Sequence, residues 1–136
     1  MATYYPDEND FNNFLAVCGR KVIKGENGEI YIESLYLDYL GRKMYVNVEH
    51  LGSGHISFQG NINIKGVEQG IGNIVNIIQR MVPFDMRIDI IGGKVSYRLL
   101  CRYKNQINAH LAETEKFLVW CNLLNYMSIK GLTGGL

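Results

Sequence analysis

Between residues 7 and 20 apolar side chains recur at Phe11, Phe14, Leu15 and Cys18, the i, i+3, i+4, i+7 spacing of one helical stripe. Pro6 with Asp7, Glu8 and Asp10 suits a helix start, where negative charge meets the positive end of the helix dipole. Gly19, Arg20 and Lys21 suit its end. Glu26-Asn27-Gly28 is then a turn, Asn-Gly being the strongest short hairpin signal. Residues 29–40 are rich in Tyr, Ile and Leu and read as a strand. Gly41-Arg42 turns the chain into 43–49, where Met44, Val46 and Val48 alternate with Tyr45, Asn47 and Glu49. After a second turn at 51–54, Ile56, Phe58, Ile62 and Ile64 alternate with Ser57, Gln59, Asn61 and Asn63. That alternation predicts an antiparallel strand with one wet face.

The period changes at 66–82. Val67, Ile71, Ile74, Val75, Ile78, Met81 and Val82 fit a helical stripe, with Gln69, Asn73, Asn76 and Arg80 opposite. Residues 84–104 form the clearest hairpin. A Gly92-Gly93 loop supplies the positive φ that only glycine takes cheaply. It sets Ile90 against Val95, Ile88 against Tyr97, Met86 against Leu99 and Phe84 against Cys101, all on one face. Residues 108–129 read as a closing helix, with Asn108 as N-cap and Glu113 and Glu115 near its start. The glycine-rich tail 130–136 reads as frayed, leaving an ordered core of about 7–129 in one domain. The order is α-β-β-β-α-β-β-α, an α+β fold with an antiparallel sheet packed by helices.

The composition fits a folded domain, with 47% hydrophobic and 20% charged residues, and a net charge of +1 gives no general pull toward nucleic acid or anionic membrane. Cys18, Cys101 and Cys121 are odd in number and sit among apolar residues, which favours reduced thiols and a cytoplasmic setting. The N-terminal residues lack the basic and apolar regions of a signal peptide. The most apolar window, 117–129, is interrupted by Asn122, Asn125 and Ser128, so no membrane-spanning run or membrane partner is expected.

No catalytic or cofactor motif is visible, and no cofactor is expected. Glu49, His50 and His55 flank a turn, and His110 and Glu113 lie i, i+3 on the last helix, but neither group has the ligand number or spacing of a zinc site. Gly66-x-x-x-Gly70-x-Gly72 lacks the Lys-Ser/Thr of a phosphate loop. Two surfaces carry more. The outer face of the 84–104 hairpin presents Arg87 opposite Arg98, with Lys94, Arg102 and Lys104 on the same strand as Arg98. Directly opposed like charges cost stability, which an anionic partner would relieve. Tyr31, Tyr36, Tyr39 and Tyr45 lie in the first two strands, on a different hairpin from this basic cluster. On the last helix the unbroken run 117–121 is followed by Leu123, Leu124, Tyr126, Met127 and Ile129. One buried stripe does not hold residues pointing all the way round. Phe117, Trp120, Leu123 and Tyr126 are therefore the candidate partner-interface residues, Trp and Tyr being favoured interface anchors.

The element order and length resemble the type III secretion chaperone fold shared by YbjN-like domains, over residues 7–129. That resemblance implies a non-enzymatic, usually dimeric protein. It also implies dimerisation through the middle helix and its neighbouring strand, and a sheet and first helix that hold an extended stretch of client chain. Members of the secretion group are typically acidic, whereas this chain is near neutral. The expectation is a chaperone-like or adaptor-like protein-binding domain acting as a homodimer on a protein or peptide client. The alternative is a nucleic-acid-binding module using Arg87, Lys94, Arg98, Arg102 and Lys104.

Overall fold

The computed structural model describes residues 5–52, 54–63, 86–91 and 93–129. Helix α1, Glu8–Val17, opens with a capping box: the Asp10 N–H donates to Asp7 Oδ1 at 2.8 Å and the Asp7 N–H to Asp10 Oδ2 at 2.9 Å. It closes through Cys18 and a left-handed Gly19. Six strands follow: β1 (Val22–Lys24), β2 (Ile30–Leu37), β3 (Lys43–Leu51), β4 (His55–Asn63), β5 (Met86–Ile91) and β6 (Lys94–Cys101). A single 3-10 turn, Lys104–Gln106, leads into the long helix α2, Ile107–Ile129.

The strands form one antiparallel sheet in the order β1-β2-β3-β4-β6-β5, an α+β architecture with helices packed on it. The β5–β6 register is the one the alternation predicts: Met86 pairs Leu99, Ile88 pairs Tyr97 and Ile90 pairs Val95. Three expectations are corrected or displaced. The Asn-Gly turn joins β2 to an additional strand, β1, whose three residues are too few to show a period. Asn108 is not an N-cap, because α2 begins at Ile107 and continues directly from the 3-10 turn. The basic strand ends at Cys101, so Arg102 and Lys104 lie beyond it. The helix expected at 66–82, Ile64, Phe84 and the tail 130–136 lie outside the described residues.

Register assigns every strand residue to one of two faces. Ile32, Val46, Phe58 and Leu99 stand on the face that α1 and α2 cover, where Phe11 and Phe14 of α1 and Ile107, Leu111 and Leu118 of α2 complete the core. The Phe14 ring meets Phe58 edge-on at 6.0 Å. A second cluster joins Val95, Tyr97 and Leu99 to Phe117 and Cys121. At Gly60 of β4 the two layers approach closely, since a Cβ there would lie 2.5 Å from a methyl of Leu118. The other face carries Tyr31, Tyr45, Asn47, Gln59, Arg98 and Arg87 and has no helix among the described residues.

Beyond Ile32, β2 outruns the short β1 and would expose backbone donors along an edge. The Glu33 N–H donates to Lys21 O, and the Leu35 N–H donates to Glu115 Oε2 at 2.9 Å. Glu115 reaches this edge from α2 and also accepts from Ser34 Oγ at 2.9 Å and from Arg20 Nη1 at 2.7 Å. One buried carboxylate thus ties the end of α1, the β2 edge and α2 together.

Candidate protein interface

Helix α2 is partly inside out. Its sheet-facing side carries Thr114, Glu115, Asn122 and Asn125, all buried, whereas Trp120 is 54% and Leu123 48% exposed, with Tyr126 also on the outside. The buried polar groups find local partners. Thr114 Oγ1 donates to His110 O at 2.9 Å, Asn125 Nδ2 to Asn63 O at 3.3 Å, and Asn122 Nδ2 to Leu118 O and to the sulfur of Met44. These amides interrupt the apolar run in the sequence, and there they argue only against a membrane span. Among the described residues no helix is long and apolar enough to cross a membrane.

Of the four residues expected at an interface, Trp120, Leu123 and Tyr126 are exposed together, and Phe117 is corrected to the core. Its ring stacks on Tyr97 with centroids 4.4 Å apart and a 21° tilt, because α2 turns that position down onto β6. The exposed group continues onto β2 and the turn after it. Leu35 is 67% and Leu37 58% exposed, with Tyr36 and Leu40 nearby in the chain. A shallow apolar groove of about 330 Å³ between Leu37, Tyr39, Val119, Leu123 and Tyr126 joins the two elements. The Tyr39 and Tyr126 rings approach to 6.3 Å. Sequence reading took 29–40 as an ordinary strand and missed this half of the patch, although the consecutive run Leu35-Tyr36-Leu37 was its signal.

The basic candidates do not form one cluster. Arg87 pairs directly with Arg98, as expected, but Arg87 Nε also meets Asp89 Oδ2 at 3.1 Å and Arg98 Nε donates to Ser57 Oγ at 3.2 Å. Lys94 is exposed at the start of β6 and Arg102 is half-buried past its end. Lys104 is corrected to a different neighbourhood, beside Asp10 and Asn13 of α1, because the chain has already turned toward α2. Sheet order does join what the hairpins separate: Tyr31, Asn47, Gln59, Arg98 and Arg87 form one cross-strand row on the open face.

The histidines hold structure together. His50 Nε2 lies 2.9 Å from Pro6 O and its ring stacks on Phe11, His55 meets the Tyr5 ring, and His110 Nδ1 lies 2.9 Å from Gln106 O. Among the described residues no three His, Cys, Asp or Glu side chains converge as metal ligands would. Burial pushes the Cys101 thiol up to about 11 and the Cys121 thiol up to about 12, so neither has the thiolate character of a nucleophile near neutral pH.

Compared with known proteins, the chain matches no protein-family model, no curated protein and no solved structure.

Proposed function

We propose that this chain is a non-enzymatic protein-binding domain, chaperone-like or adaptor-like and cytoplasmic, that acts as a homodimer. The observation that carries the reading is the inverted polarity of α2, with amides and a carboxylate inside and Trp120, Leu123 and Tyr126 outside. Soluble monomers rarely leave a large contiguous apolar patch exposed, and aromatic residues beside aliphatic ones are the usual anchors of a protein interface. Leu37 and Tyr39, across a shallow groove from Leu123 and Tyr126, extend the patch beyond a single helix. A stable interface needs about 800 Å² per partner, more than a lone side chain provides. The element order read from the sequence resembles the secretion chaperones, which are usually dimeric, although that resemblance implies a dimer surface at the middle helix, outside the described residues.

Native mass spectrometry of the untagged protein tests it. The expected result is a dimer of about twice 15.5 kDa, converted to monomer by Trp120→Glu or Leu123→Glu with the far-UV circular dichroism unchanged. A clean monomer across the micromolar range overturns the homodimer. An unaltered dimer in both variants overturns this surface as its seat.

A second reading, nucleic-acid binding, has one observation in its favour: the row of Tyr31, Asn47, Gln59, Arg98 and Arg87 across the open face. Aromatic stacking beside cations suits single strands. Asp89 and Ser57 already engage the two arginines, which weakens the case. Binding of a single-stranded oligonucleotide should fall steeply with salt, and less steeply in Arg98→Ser. Absence of binding at low salt rejects this reading.

A further inference from the structure

The sheet is not continuous between β3 and β4. Their pairing runs from Leu51↔His55 to Asn47↔Gln59 and stops there. The flanking ladders continue, β2–β3 to Leu37↔Lys43 and β4–β6 to Asn63↔Lys94. The two strands therefore part in mid-sheet. The gap is a cleft of about 600 Å³, backed by Asn122 and Asn125 of α2, and among the described residues no helix covers its other side. That volume lies within the range of small-molecule sites, about 300–1,000 Å³.

Side-chain amides are the commonest groups in its lining. Asn47, Gln59, Asn61 and Asn63 line the parted strands, and Asn122 and Asn125 lie below them. Each side-chain amide offers two donors and an acceptor without charge. Among the described residues the Asn47 and Asn61 side chains make no hydrogen bond. Asn122 is only 8% exposed. Its Nδ2 is spent on its own helix and on a thioether, a weak acceptor, and its carbonyl oxygen accepts nothing from the described residues. That oxygen is not sealed from solvent, so it is open to a donor entering the cleft. The charges at the rim are already neutralised. Lys43 pairs with Glu33 at 2.9 Å, and Arg42 with Asp38 at 2.9 Å. Burial pushes the Asp38 carboxyl up, but hydrogen bonds from Arg42 and the Leu40 N–H outweigh it and hold it below the usual carboxylate range.

Aromatic surface is present at one wall. Tyr31 and Tyr45 both stand on the open face and are diagonal neighbours, since Tyr31 pairs with Asn47 and Tyr45 with Glu33. A nucleobase asks for apolar or aromatic cover on both of its faces and places all of its polar edge atoms in one plane. A sugar ring asks for the reverse: one flat surface for its C–H face and hydrogen-bonding groups around the rest. A phosphorylated ligand asks for a free cation, and the rim cations are paired. We propose that the cleft between β3 and β4 binds a neutral saccharide of one or two rings, held by Asn47, Asn61 and Asn122 and stacked on Tyr31 or Tyr45.

The test follows the side-chain NH₂ and backbone signals of ¹⁵N-labelled protein during titration with maltose, cellobiose or diacetylchitobiose, and separately with adenosine. At least one saccharide should shift the Asn47, Asn61 and Asn122 signals saturably. Asn61→Ala and Tyr45→Ala, both in surface strands, should each weaken binding about 5–10-fold, one hydrogen bond or one stacked face being worth about 1 kcal/mol. Asn122→Leu extends the test to the floor but alters a buried position, so the two surface variants decide. No saturable shift with any of the three sugars overturns the proposal, as do shifts that survive both surface variants. Binding of adenosine alone overturns the saccharide class in favour of a base.

Discussion

Replacing Glu115 should destabilise the fold more than replacing any other charged residue described. The carboxylate is 1% exposed and splits its acceptors: Oε1 takes Arg20 Nη1 at 2.7 Å, while Oε2 takes Ser34 Oγ and the Leu35 N–H, both at 2.9 Å. In Glu115→Gln the amide oxygen keeps its place for Ser34 and Leu35. The NH₂ group then turns two donors toward the Arg20 guanidinium, whose side chain is itself only 15% exposed. Leaving a mostly buried cation without its carboxylate costs about 3–5 kcal/mol. Glu115→Ala also orphans the Ser34 hydroxyl and the Leu35 N–H, adding about 1–3 kcal/mol for each buried donor left unsatisfied. Urea unfolding followed by far-UV circular dichroism measures this; Trp120 is too exposed to serve as the probe. With a slope of about 2 kcal/mol per molar urea, Glu115→Gln should lower the midpoint by about 1.5–2.5 M. The Arg20→Leu, Glu115→Gln double variant should lose less than the sum of the two single variants, because it leaves no cation behind. A midpoint shift under about 0.3 M for Glu115→Gln, or strict additivity in the double variant, refutes the reasoning.

Gly60→Ala places a methyl 2.5 Å from the buried Leu118 side chain. It should cost about 1–3 kcal/mol of stability, read as a lower thermal midpoint, and the loss should be smaller when measured in a Leu118→Ala background. The raised Cys101 and Cys121 thiols give a sign for alkaline pH. Both stay protonated in the fold, whereas the unfolded thiols ionise near pH ~8.5. Their contribution to stability is intact below that pH and is lost as the pH rises toward 11–12, by about 1.4 kcal/mol per pH unit for each thiol. Urea midpoints measured between neutral pH and pH ~10 should therefore fall less steeply in the Cys101→Ala, Cys121→Ala variant than in the parent.

Hydrophobic alternation was enough for the sheet's registers where strands were long. Along β5 and β6 every second residue is apolar, and a one-residue slip would turn Val95, Tyr97 and Leu99 to the wrong face, so pattern and pairing have one joint solution. In β1, three residues are too few to show alternation, and the strand exists because the Asn-Gly turn folds it onto β2. Half of the candidate interface was legible, since a helix apolar on every side must leave Trp120 or its neighbours outside. Its burial pattern was not, because Phe117 and Trp120 differ only in which side of α2 the sheet happens to meet. The cleft was invisible for a different reason. Asn47 and Asn61 read as ordinary wet-face residues of two strands, and only the failure of those strands to pair along their full length gathers them with the amides of α2.

The inverted helix also bears on how α2 finds its orientation. From residue 117 onward the sequence places apolar residues on every side of the helix, so hydrophobic burial discriminates only weakly between rotations about its own axis. Glu115 has partners in one rotation alone, the one that brings it to Arg20, Ser34 and the Leu35 N–H; Asn125 likewise meets Asn63 O only there. The grease supplies the adhesion and the polar groups set the angle, as a key in a slot indexes a shaft. Variants that make the underside of α2 wholly apolar should therefore keep the helix on the sheet while loosening which side of it faces out.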